Sequence, residues 1–210
     1  MSKGLEKILR GFGAAGLVLA VALSGPAGAA PVERVLYSAV GEITRAPIGW
    51  VDFCNDHADE CDTSSTGPRD VVLSSTAWRD LIRINDYVNR TIQPLTDLEH
   101  WGVVEKWSYP DDGYGDCEDY VLLKQRLLIK AGWPRAALLI TVVRDKRGDG
   151  HAVLTVRTNK GEFVLDNQEE RVLPWTETGY RFVKRQSQSN PNVWVILDHT
   201  RPATATAASR

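Results

Sequence analysis

The run CEDYVLLKQRLLIKA at 117–131 restricts the folds open to this chain more than any other stretch. It holds no glycine or proline, and Gly132 and Pro134 follow, so it reads as a helix that stops there. Its apolar residues (Tyr120, Val121, Leu122, Leu123, Leu127, Leu128 and Ile129) fall on nearly every side. A helix that is apolar all round must be enclosed by other elements, so this one is expected at the centre of the molecule. The runs that follow supply a cover. AALLITVV, HAVLTVR and EFVLDN are short, β-rich and joined by DKRGDG and TNKG. They read as an antiparallel meander, and VWVIL at 193–197 adds a further strand. The expected class is α+β, with a central helix packed on an antiparallel sheet.

The upstream half is less regular. Ser74, Ser75 or Thr76 can cap a helix over AWRDLIRINDYVNRTI, in which Trp78, Leu81, Ile82, Val88 and Ile92 recur at helical spacing. Pro94 ends it, and residues 95–115 form a turn-rich loop that carries Trp101 and Trp107 and closes on PDDGYG. Residues 31–70 read as an irregular approach with room for a short strand or two. Seven tryptophans suit a well-filled core or an aromatic-lined groove.

Both ends read as lying outside the domain. Lys3, Lys7 and Arg10 precede the apolar run GFGAAGLVLAVALSG, and Ala27-Gly28-Ala29 supplies an A-x-A pattern. Residues 1–29 are therefore read as a secretory signal peptide, with an uncleaved anchor as the alternative. A cut after Ala30 would set Pro31 at the scissile bond, which places the cleavage after Ala29. Removal of this segment leaves 22 Lys+Arg against 26 Asp+Glu, a net charge near −4. With no basic stripe, a nucleic-acid partner is not expected. With no other apolar run of spanning length, neither is stable membrane insertion after cleavage. The expectation is one periplasmic or secreted domain over residues 30–198, acting as a monomer, with a disordered low-complexity tail at 199–210.

Three cysteines in an exported chain leave one unpaired. Cys54 and Cys61 bracket NDHADE, a loop that a disulfide can close in an oxidising compartment, at a gain of about 2.5 kcal/mol from loop entropy. A metal site with an Asp or His57 is the alternative. Cys117 remains, inside GDCEDY. Asp116 can act as N-cap with Asp119 completing a capping box, which sets Cys117 at the first helical position. There the unpaired amides and the helix dipole favour a thiolate, and the same amides can serve as an oxyanion hole. The carboxylates of Asp116, Glu118 and Asp119 oppose it.

A nucleophilic cysteine needs a base and a group that orients it. The candidate bases are His57, His100, His151 and His199. If the hairpin turns at Asn159-Lys160, Val153 lies opposite Asp166 and His151 opposite Gln168. His151 and Asp166 are then diagonal neighbours about 7–8 Å apart at the backbone, unless a bulge at Gly161 shifts the register. The order Cys–His–Asp follows the logic of a thiol-protease triad. The plainer alternatives are a charged turn at Asp116–Asp119, a solvated His151 and a turn residue at Asp166. Trp107, ten residues before Cys117, could add an indole N–H to the oxyanion hole or simply fill the core.

GDCEDYVLLKQRLLIKAGWP, GHAVLTV and FVLDN, with INDYVN and the HWG and EKW tryptophans upstream, resemble the transglutaminase-like core. More narrowly, they resemble the bacterial transglutaminase-like cysteine peptidases, of which the periplasmic adhesin-releasing proteases of the LapG type are members. The resemblance runs from about Ile84 to Asn167. It implies a papain-like α+β fold with Cys117 as nucleophile, His151 as base and Asp166 as orienting group. It implies calcium beside the active site, with Asp116 and Glu118 as ligands and Asp119 as a further candidate. It also implies a protein or peptide substrate, with a cell-surface adhesin and an envelope regulatory protein as candidate partners. Calcium prefers several oxygen ligands, so a bound ion would explain why carboxylates surround a thiol. Amine transfer uses the same acyl-enzyme, and a non-catalytic peptide-binding domain is the reading from another class. The segment from Trp107 to Gly115 is shorter than the adhesin-releasing pattern, and the Cys54–Cys61 pair is an addition to it.

Overall fold

The computed structural model describes residues 36–62 and 67–198. The expected signal peptide at 1–29 and the tail at 199–210 lie outside the described residues. The elements in chain order are β1 (Ala39–Thr44), α1 (Ile48–Asp56), α2 (Ser75–Thr91), β2 (Gln93–Pro94), α3 (Asp97–Trp101), β3 (Tyr114–Gly115) and α4 (Cys117–Lys130). Then come β4 (Leu138–Arg144), β5 (Gly150–Thr158), β6 (Gly161–Leu165), β7 (Leu173–Pro174), β8 (Arg181–Gln186) and β9 (Trp194–Asp198). Seven strands form one sheet in the order β1-β9-β8-β4-β5-β6-β7, every neighbouring pair antiparallel. α4 packs on β5, and α2 packs on α4. The class is α+β with the cysteine-bearing helix between sheet and helix, as the sequence predicts.

α4 is enclosed because its sequence leaves it no polar face to show. Tyr120, Val121, Leu122, Leu123 and Leu128 are buried, and so are the polar Glu118, Asp119, Lys124 and Gln125. Gly132 adopts φ 90° at its end. The Gly132 N–H reaches the Ile129 carbonyl and the Trp133 N–H the Leu128 carbonyl, so a Schellman turn closes the helix. α2 starts where a serine can cap it, with the Ser74 hydroxyl accepting the Ala77 N–H at 3.1 Å. Its buried stripe is Leu81, Ile84, Asn85 and Val88, while Ile82, expected on that face, is 46% exposed. Two overlapping stripes run through RDLIRIND. The packing selects the one that carries Asn85, whose amide donates to the Glu170 carbonyl at 3.0 Å.

The stretch read as irregular contains β1 and α1. Trp50 and Phe53 of α1 are buried and stacked on each other; Trp50 meets Trp107 and Trp194 edge to face, and Phe53 meets Tyr109 in the same way. A Cβ on Gly49 would fall 2.2 Å from the Trp107 ring, so only glycine lets α1 approach this closely. Cys54 and Cys61 form a disulfide with their Cα atoms 5.7 Å apart. Asn192 ties this corner to the segment before β9. It accepts the Trp50 indole N–H at 3.3 Å and donates to the Cys61 carbonyl at 3.0 Å. Among the described residues, no helix is long and apolar enough to cross a membrane.

Replacing both Cys54 and Cys61 by alanine should lower the unfolding free energy by about 2.5 kcal/mol, the loop-entropy value for so short a bridge. Denaturant titration checks this, and Cys117 should remain the single alkylatable thiol of the wild type. An unchanged midpoint would mean that the bridge does not constrain the unfolded chain.

Candidate active site

Cys117 is a free, partly buried cysteine at the first residue of α4. Asp116 sits at the N-cap position but makes no side-chain cap bond. Its Oδ2 instead accepts the Asp97 N–H at 3.2 Å. The expected capping box is half formed. The Asp119 carboxylate does take the Asp116 backbone N–H, and its Oδ1 also accepts the Ser108 N–H at 2.8 Å. Asp119 also lies against Gly115, where a Cβ would come within 2.7 Å of Oδ2. The thiol hydrogen-bonds Glu118 Oε2 at 3.1 Å, and the sulfur takes the Ala152 backbone N–H. That contact brings the sulfur to the start of β5, one residue beyond His151.

β5 and β6 carry the other two groups. Their register pairs Leu154 with Leu165 and Thr158 with Gly161, so the turn is the two residues Asn159 and Lys160, with no bulge among these pairs. His151 Nε2 lies 2.8 Å from Asp166 Oδ1, both side chains buried. Burial pushes the Asp166 carboxyl up. The His151, Gln168 and Tyr180 interactions outweigh it and hold the group below the usual carboxylate range. An ionised carboxylate only accepts, so Nε2 is the donor in this pair and Nδ1 is the ring nitrogen that faces away from Asp166. The Gln168 amide lies 3.4 Å from Nδ1. Two partners of Asp166 went unread in the sequence: Tyr180, whose hydroxyl donates to Oδ2 at 2.6 Å, and Asn89, which donates to the Asp166 carbonyl at 2.7 Å.

The acidic residues separate into two overlapping groups that share Asp116. Oxygens of Asp97, Asp116 and Asp119 lie within 4.8 Å of one another, as do donor atoms of Asp116, Cys117 and Glu118. Asp97 is a member that sequence reasoning missed, because α3 brings it there from outside the motif. The Lys106 backbone N–H also donates to it. The first group offers only oxygen. Asp116 Oδ1 and Asp119 Oδ2 are buried without a hydrogen-bond partner. Such orphaned oxygens are costly and suit a hard cation, so the donor set fits calcium. The second group includes sulfur and suits it less. Burial, then the charge of Asp116, pushes Glu118 up to about 9. Burial also pushes Asp119 up to about 8, with Asp116 and Asp97 adding to the rise. Burial and Glu118 together push the Cys117 thiol well above its ordinary range.

The remaining sequence candidates sit elsewhere. Trp107 is buried between Trp50 and Trp194, and its indole N–H donates to Glu105 at 2.7 Å, an arrangement that favours a packing role. His57 packs on Phe53 and Tyr109, and His100 bonds Asp112 at 2.8 Å and stacks on Trp101. His199 lies outside the described residues. Lys124 is fully buried on α4 with no hydrogen bond to Nζ. Burial lowers it to about 7, and Asp166 pulls it back upward.

A profile of the family described as bacterial transglutaminase-like cysteine proteinase matches residues 40–202. A search of curated proteins finds no match. Among solved structures, calcium-bound LapG of Legionella pneumophila is similar over 62% of this chain and 74% of its own, at 22% identity and TM-score 0.50. A second LapG structure from that organism matches 56% of this chain and 67% of its own, at 24% identity and TM-score 0.47. The EGTA-treated form matches 58% and 67%, at 25% identity and TM-score 0.48. The likeness to the calcium-bound structure is a likeness of fold.

The raised carboxyls make a prediction about stability. A metal-free folded chain keeps protons on Glu118 and Asp119 up to about 9 and about 8, whereas the unfolded chain loses them near 4.5 and 3.8. Between those limits the folded state binds more protons, so stability falls as pH rises. In EGTA the thermal midpoint should drop across this window, and saturating calcium should flatten the slope. Equal slopes with and without calcium would separate the acidic cluster from the ion.

Proposed function

The chain belongs to the bacterial transglutaminase-like cysteine proteinase family, and on that premise we propose that it is an exported thiol peptidase acting through Cys117, His151 and Asp166 with calcium beside the nucleophile. The 2.8 Å contact between His151 Nε2 and Asp166 carries the reading, because it leaves the Nδ1 lone pair available as a base. Export is supported by the signal-peptide pattern at residues 1–29 and by the Cys54–Cys61 disulfide, which persists in an oxidising compartment.

His151 Nδ1 takes the thiol proton, and the sulfur attacks the carbonyl carbon of the scissile peptide bond. Charge moves to the carbonyl oxygen, towards which the uncapped amides at the start of α4 can donate. The C–N bond then breaks, the departing amine takes the proton from His151, and an acyl-thioester remains on Cys117. Water enters next, His151 removes its proton, and the carboxylic acid product leaves with the thiol restored. Asp166 holds the imidazole in one tautomer and balances its charge in the protonated stages.

Asp97, Asp116 and Asp119 would hold calcium, with Glu118 adjoining through Asp116. Bound there, calcium would supply positive charge that offsets the carboxylates opposing the thiolate. The substrate class follows from the family: a protein or peptide. A cell-surface adhesin and an envelope regulator remain the candidate partners that the family resemblance suggests.

The test is alkylation of Cys117 by iodoacetamide. A free thiol is only about 3% thiolate at neutral pH, so a pre-formed ion pair should react up to roughly 30-fold faster. Calcium-loaded wild type should show this advantage. EGTA, His151→Ala and Asp116→Ala should each remove it, and Cys117→Ala should abolish labelling. Equal rates for wild type and His151→Ala would show that the imidazole does not activate the thiol.

A further inference from the structure

Asp166 has two carboxylate oxygens, and the pairing with His151 uses one. Oδ1 accepts His151 Nε2–H at 2.8 Å and the Gln168 N–H at 2.9 Å. Oδ2 accepts the Tyr180 hydroxyl at 2.6 Å, a length that marks a charge-assisted O–H···O⁻ bond. The same ring stands edge-on to His151, with centroids 5.8 Å apart and planes at 85°. One side chain therefore touches both members of the pair, and it does so from outside the region in which the sequence motifs lie.

The backbone holds Tyr180 in place. Its N–H donates to the Thr178 hydroxyl at 3.2 Å, and that hydroxyl donates to the Trp175 carbonyl at 2.9 Å. Lys146 Nζ lies 6.0 Å from the ring centroid. The charged groups around the pair are Lys124 from α4, Asp145 and Lys146 from the β4–β5 turn, and Glu169 just beyond Asp166. A shallow pocket bordered by Lys146, Arg171 and Thr178 reaches Tyr180 and Asp166. Without the hydroxyl, water could enter there and compete for Oδ2.

We propose that Tyr180 is a positioning residue of the Cys117–His151–Asp166 centre: its hydroxyl fixes the rotation of the Asp166 carboxylate, and its ring edge fixes the tilt of the imidazole. The proposal rests on the peptidase reading above. A carboxylate turns easily about its last torsion, which is broad and roughly two-fold. An imidazole held by one hydrogen bond can still rock about it. Tyr180 removes both freedoms, and small displacements at a reacting group are expensive in rate.

The test uses calcium-loaded protein with ¹⁵N-labelled histidine, comparing wild type with Tyr180→Phe, Tyr180→Leu and Asp166→Asn. The readouts are the His151 Nε2–H resonance, its exchange with water, and the iodoacetamide rate at neutral pH. Tyr180→Phe keeps the ring and should fold with a thermal midpoint close to wild type. It should speed Nε2–H exchange and slow alkylation about 10-fold, by analogy with the low end of losses when a partner that orients a metal-ligating histidine is removed. Tyr180→Leu should go further, with the Nε2–H signal lost into water. Asp166→Asn should erase the signal. If both Tyr180 variants keep the wild-type resonance and exchange rate while Asp166→Asn loses them, Tyr180 merely packs beside an intact pair, and the proposal is overturned. If Asp166→Asn also keeps them, the His151–Asp166 pair itself is wrong, and the proposal falls with it.

Discussion

The burial of α4 governs the rest of the molecule. Its central residues have no solvent-facing side, so even Lys124 and Gln125 are enclosed, with Gln125 donating to the Leu138 carbonyl at 2.8 Å. Burial extends to the helix start, and Glu118 and Asp119 are taken in with it. Carboxylates normally stabilise a helix N-terminus through the dipole and the free amides. Here their desolvation exceeds that benefit, and both are pushed toward the protonated form. The same enclosure places Cys117 against β5, which carries His151. Cys117, the strand that carries His151 and the acidic group are thus gathered at one end of a helix that has to be covered on every side.

This enclosure explains an arrangement that is unfavourable residue by residue. With the carboxylates alone, the thiol is held in its protonated form and bonded to Glu118. The two orphaned oxygens of Asp116 and Asp119 represent an unmet demand for positive charge, and a carboxylate oxygen of Asp116 lies within 4.8 Å of the Cys117 sulfur. In the proposed calcium-loaded state that demand is met, and the helix amides and imidazole can stabilise the thiolate. The acidic motif then tunes the nucleophile through a ligand rather than opposing it.

The parts legible in the sequence are those fixed by local chemistry. The β5–β6 register followed from a two-residue turn at Asn159-Lys160 and alternation on either side, so the approach of His151 to Asp166 was readable before any tertiary contact was known. The cysteine pairing followed from an odd count and a short polar loop. What was missed depends on contacts from distant elements. Asp97 belongs to α3, and the capping box of Thr96 and Glu99 that starts this helix was a readable signal. No sequence pattern, however, tells that Asp97 turns toward Asp116. Tyr180 lies just before β8, a strand obscured by its charges. Arg185 within it is buried because Glu162 pairs with it at 2.7 Å. The stripe of α2 was misjudged at Ile82 because an asparagine with a buried backbone partner took the place expected of an apolar residue.

In the proposed calcium site, the ion displaces protons that burial keeps on the acidic cluster of the folded chain. The deciding measurement is calorimetric titration of residues 30–210 with calcium, repeated in buffers of different ionisation enthalpy at neutral and mildly alkaline pH. The expected result is saturable binding that releases protons at neutral pH, tightens as pH rises, and is weakened by Asp97→Ala and Asp119→Ala. Absence of binding at millimolar calcium, or binding with no proton release and no dependence on pH, would contradict it.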